Sequence, residues 1–151
     1  MTIVTHMLIA LAFTVAANAA HGADATLLPF QMAGDAVPDA LGGLIGEAKR
    51  GEEIVRDRRI GNCLICHRLP LKDEPFQGEI GPALTRVGAR LSEGQIRLRL
   101  IDESLINPQT LMPPYYRTAN LNNVDLDYAG LPGLTAQQIE DVTAYLSSQK
   151  E

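Results

Sequence analysis

Gly61-Asn62-Cys63-Leu64-Ile65-Cys66-His67 is the stretch on which the reading of this chain turns. Cys63 and Cys66 are its only two cysteines, set three apart, with a histidine directly behind the second. C-x-x-C-H is the spacing of covalent c-type haem attachment. Residues i and i+3 share one side of a helical turn, so both sulfurs reach the two vinyl groups of one porphyrin. The next residue then brings its imidazole to the iron as proximal ligand. A structural zinc ion needs about four N, S or O ligands. There is no second cysteine pair, and the other histidines, His6 and His21, lie in or beside a targeting-like segment. A thioredoxin-like redox pair calls for a βαβ pattern that the flanks lack. A plain disulfide remains the bland alternative.

Outward to the N-terminus, Met7–Ala17 is an apolar run of about eleven residues that leads into Ala17-Asn18-Ala19. Run length and A-x-A ending fit a signal peptide over residues 1–19. The run is too short to cross a bilayer as a helix. No Lys or Arg precedes it, so the usual positive start is missing, and a buried N-terminal helix is the competing reading. Export to the periplasm agrees with c-type haem, which bacteria attach outside the cytoplasmic membrane. The remaining ~130 residues suit one domain. With 46% hydrophobic residues, 21% charged residues and a net charge of −5, the chain is acidic. That balance argues against nucleic acid or an anionic membrane as partner.

Residues 20–46, punctuated by Pro29, Gly34, Pro38, Gly42 and Gly43, read as an irregular extension packed on the surface or on a partner. The main domain is expected over 47–151. Its first helix spans about Glu47 to Arg59, with Ala48, Gly51, Ile54, Val55 and Arg58 at helical spacing. The charge run Glu52, Glu53, Arg56, Asp57, Arg58, Arg59 reads as a solvated helix face. Leu69–Val87 is a Pro/Gly-rich loop. A second helix begins at Ser92, whose Ser92-Glu93-Gly94-Gln95 is a capping box. Ile96, Leu100 and Ile101 form its apolar face, and Asn107-Pro108 ends it. Thr135-Ala136-Gln137-Gln138 caps the last helix, with Ile139, Val142, Tyr145 and Leu146 on one side. Helices and loops without a convincing strand make the fold all-α.

Beyond the leader only Met32 and Met112 remain. Met112 stands in Asn107-Pro-Gln-Thr-Leu-Met112-Pro-Pro-Tyr-Tyr116, where Pro113 and Pro114 reduce the entropy lost on ordering. That context favours an axial ligand over core filler, with Met32 and His21 as alternatives. His67/Met112 ligation favours ferrous iron and leaves no open position, which makes electron transfer the base reading. Arg86, Arg90, Tyr115 and Tyr116 are candidate donors to haem propionates, each with an ordinary surface or packing role as the alternative.

These residues together resemble the class I cytochromes c from about Glu47 to Ser148. The resemblance implies that fold, helices and loops wrapped around one covalently bound haem c. It also implies that the Pro82 carbonyl, in Gly81-Pro82-Ala83-Leu84, receives the proximal histidine's Nδ1–H. It further implies that the first and last helices cross closely, pairing Gly51 with Tyr145. Within that class, the methionine loop and Leu131-Pro-Gly-Leu-Thr135 are similar to the SoxX family, small monohaem subunits of bacterial sulfur oxidation. This narrower resemblance implies a periplasmic heterodimer with a larger haem subunit, SoxA. Together they form an L-cysteine S-thiosulfotransferase that couples thiosulfate to a cysteine of the carrier SoxYZ. The reaction belongs to the partner, and this subunit, with no catalytic site of its own, passes electrons to a soluble cytochrome. A free-standing electron shuttle, the cytochrome subunit of another dehydrogenase, and a haem sensor or peroxidase-like enzyme in which Met112 leaves are the other readings.

Overall fold

A computed structural model describes residues 27–151. The expected leader, its cleavage site, His6 and His21 lie outside them. Among the described residues four α-helices form: α1 (Ala48–Arg56), α2 (Val87–Arg90), α3 (Glu93–Asp102) and α4 (Ala136–Ser148), with 3₁₀ turns before α1 and in the loops that follow α1 and α3. Among the described residues no strand occurs beyond an isolated bridge, Ala33 to Ala36. No helix among them is long and apolar enough to cross a membrane.

α4 is the element the others pack on. Its crossing with α1 is set by Gly51: a Cβ there would lie 2.0 Å from the Asp141 carbonyl oxygen and 2.8 Å from the Tyr145 Cβ. Glycine inside a helix costs about 1 kcal/mol relative to alanine. Here any side chain would push the two helices apart, so the expected Gly51–Tyr145 pairing is present. α1 buries Gly51, Ile54 and Val55. It stops three residues short of the expected Arg59, because the Asp57 carboxylate accepts the Arg59 backbone N–H (2.7 Å) and turns the chain out of the helix.

Both capping boxes form. Gln95 N–H reaches the Ser92 hydroxyl while the Gln95 side chain accepts Ser92 N–H, and Thr135 and Gln138 repeat the pattern. α3 ends at Asp102, followed by a 3₁₀ turn, Glu103–Leu105, earlier than Asn107-Pro108. Residues 27–46 are anchored in the core by two side chains. Val37 and Leu41 are fully buried with Ile96, Leu98, Ile101, Leu134, Ile139 and Val142 in one core. A buried ion pair holds them: Arg97 binds Glu140 at 2.8 Å with both side chains at most 4% exposed. Arg97 also donates to the Val37 carbonyl (2.7 Å), and Glu140 accepts Leu41 N–H (2.9 Å). The extended segment thereby satisfies backbone groups that its burial would otherwise strand.

Candidate functional site

The thiol turn is built by one carbonyl. Cys63 O accepts both Cys66 N–H (3.2 Å) and His67 N–H (2.9 Å), winding Cys63–Ile65 into a 3₁₀ turn. Asn62, in the left-handed region at φ 49°, feeds the chain into it. Both cysteines are free, Cys63 buried and Cys66 half-buried. Burial pushes the Cys63 thiol up to about 11. Among the described residues no three His, Cys, Asp or Glu side chains converge to hold a bare metal ion.

The loop after His67 folds back on the turn through three backbone bonds: Gly78 N–H to Leu64 O, Gly81 N–H to Cys66 O and Leu84 N–H to Arg68 O, each 2.8 Å. Gln77 pins that loop, accepting Leu69 N–H (2.6 Å) and donating to the Glu74 carbonyl (2.9 Å). Reading the sequence missed Gln77, since nothing local marks a glutamine whose partners are loop backbone. The return places the Pro82 carbonyl 2.7 Å from His67 Nδ1. A carbonyl can only accept, so Nδ1 carries the proton and Nε2 keeps its lone pair for a metal. Gly81 lies under the ring: a Cβ there would stand 2.4 Å from His67 Cε1.

Met112 is half-buried against the core, its N–H on the Thr110 hydroxyl (3.1 Å). Its loop is tied to α3 by Tyr115 N–H to Leu100 O (3.3 Å) and Tyr116 N–H to Ile101 O (3.1 Å). Arg117 closes the loop's base on Asp102 at 2.7 Å. A cavity of about 370 Å³ is lined by Pro113, Pro114 and Arg117 of the loop, and a larger one of about 460 Å³ lies between α1 and α4, with neither cysteine in its lining.

The candidate propionate donors separate. Tyr115 donates its hydroxyl proton to the Gly61 carbonyl (2.7 Å). Tyr116 is buried, and its hydroxyl oxygen accepts Leu28 N–H (2.7 Å), which ties it to the lead-in. Arg90 is exposed and gives one N–H to Ala83 O (2.8 Å); Arg86 is exposed at φ 57°. Met32 is exposed beside the Ala33–Ala36 bridge.

The donor set fits haem c. Two unpaired thiols precede an imidazole whose Nδ1 is already engaged, and apolar side chains next in sequence to Cys66, Gly81 and Met112 stand in solvent: Ile65 at 54%, Ile80 at 69% and Leu111 at 85% exposure.

The family model for cytochrome c matches residues 48–150. A chain in the crystal structure of SoxXA from P. pantotrophus is 32% identical, with a TM-score of 0.75, over 81% of this chain and 95% of that one. No curated protein matches the sequence.

Proposed function

The chain belongs to the cytochrome c family, and from that premise we propose that it is the small electron-transfer subunit of a periplasmic thiosulfate-oxidising complex. The observation that carries this reading is the likeness to a SoxXA chain over nearly all of that chain's length. When bound, the haem supplies a one-electron ferric/ferrous couple. Cys63 and Cys66 would hold one haem through thioether bonds, and His67 Nε2 and the Met112 sulfur would bind its iron. The Pro82 carbonyl fixes the ring plane of His67 and makes it a better donor. The Met112 thioether as second ligand would favour the ferrous form and raise the potential. Arg86 and Arg90, both exposed, serve the propionates.

The partner is a larger c-type cytochrome of the SoxA kind. On it a SoxYZ-like carrier's cysteine thiolate forms an S–S bond with thiosulfate and two electrons leave. This chain takes them singly and hands them to a soluble cytochrome. Ile65, Ile80 and Leu111 give it an apolar docking face. Residues 1–19 direct export and are removed.

Affinity capture of the tagged, haem-loaded protein from its own periplasm tests the assignment. Co-purification of a larger c-type cytochrome, with thiosulfate-dependent haem reduction in the complex, is the expected result. Recovery of a lone monohaem protein that thiosulfate does not reduce, from cells actively oxidising thiosulfate, overturns it in favour of a general electron shuttle.

A further inference from the structure

Ligation by His67 and Met112 requires two segments distant in sequence to keep a fixed separation. The methionine loop is fastened to α3 by backbone bonds at Tyr115 and Tyr116 and by the Arg117–Asp102 pair. None of those reaches the thiol turn. One side chain does: the Tyr115 hydroxyl, three residues past Met112, donates to the carbonyl of Gly61, two residues before Cys63.

We propose that Tyr115 is a positioning residue for Met112, its hydroxyl setting the spacing between the methionine loop and the thiol turn. This rests on the His67/Met112 ligation proposed above. The strut is held from behind. The Tyr115 carbonyl accepts Leu134 N–H (2.9 Å), and a Cβ on Gly133 would stand 3.3 Å from Tyr115 Cδ1. Burial raises the pKa of the phenol, in keeping with its role as donor to the Gly61 carbonyl. Remove that bond and the loop gains freedom to lift, which raises the fraction of molecules with the sulfur off the iron. An external ligand binds only that fraction, so its apparent affinity reports the fraction directly.

Tyr116 supplies a matched control, because its hydroxyl makes a bond of the same length to Leu28 in the lead-in. The experiment compares haem-loaded wild type, Tyr115→Phe and Tyr116→Phe in the ferric state. It reads the far-red methionine-to-iron charge-transfer band, the affinity for imidazole and the urea midpoint. Phenylalanine keeps the ring and its packing in both variants. For a neutral hydrogen bond, Tyr115→Phe should bind imidazole about fivefold more tightly and lose the band at lower temperature. Tyr116→Phe should lower the urea midpoint and leave imidazole affinity at the wild-type value. Equal affinities for Tyr115→Phe and wild type overturn the proposal, as does an equal gain in both variants. Absence of the band in wild type removes Met112 as ligand, a failure of the ligation reading that is distinct from failure of the strut.

Discussion

The His67 imidazole rests directly over Gly81, so close that a single methyl group on Gly81 would enter the space of the ring. The Pro82 carbonyl that orients the ring belongs to the next residue. Ring position and ring orientation are therefore set by two adjacent residues of one loop.

Gly81→Ala should displace the imidazole and break its bond to Pro82. Loss of such an outer partner commonly costs about 10–100-fold in metal affinity. The yield of protein with covalently bound haem, measured by absorbance per polypeptide, should fall by about tenfold or more. Wild-type haem content in this variant would show that the ring tolerates the methyl group.

Met112→Ala should open the sixth position. Carbon monoxide should then shift the ferrous Soret band of the variant and leave wild type unchanged, and the reduction potential of the variant should fall. A wild-type response to carbon monoxide would remove Met112 as a firm ligand.

Arg97→Leu should destabilise the haem-loaded protein by about 3–5 kcal/mol, because it leaves the Glu140 carboxylate buried without its partner. Val37 and Pro38 lose a donor in the same step, so residues 27–46 should also become protease-sensitive. Urea unfolding checks the first effect and limited proteolysis the second. A loss below about 1 kcal/mol would mean that water replaces the guanidinium.

Asp141 predicts an acid response. Burial pushes its carboxyl up, but Arg50, the Glu47 N–H and Gln137 outweigh this and hold it below the ordinary 3.8. A carboxyl lowered in the native state binds fewer protons there than in the unfolded chain. Its contribution is therefore complete above 3.8 and is lost as pH falls through the native value. Because Arg50 is half-exposed, Asp141→Asn should cost only about 1–2 kcal/mol near neutrality. The gap in urea stability between wild type and variant should close as the medium becomes strongly acidic. A gap independent of pH would count against the ionic account.

What was legible in the sequence was local or tied to a motif. Ser92–Gln95 and Thr135–Gln138 could be read because cap and partner sit three residues apart. Gly51 and Tyr145 could be paired only through the class I cytochrome c resemblance. The short α2 went unread between a Pro/Gly-rich loop and the Ser92 cap, its entry set by Arg86 in the left-handed region. Val37 and Leu41 looked like loop residues because their burial comes from α3 and α4, far along the chain. Arg97 carried no local sign of its role, since Glu140 lies 43 residues away. The Glu52–Arg59 run was read as a solvated face; within it Arg56 reaches out to Glu52, Asp73 and Glu74 and tethers the loop after the thiol turn.

The placement of α4 dictates an order of events. α1, α2, α3 and the lead-in all close against the final helix, and Arg97 joins residue 37 to residue 140. Pairings across such sequence distance form only once both ends of the chain exist. A nascent polypeptide thus presents Cys63 and Cys66 before α4, the main partner of α1, has emerged. The thiol turn stays open to solvent throughout that interval, and the docking of α4 ends it.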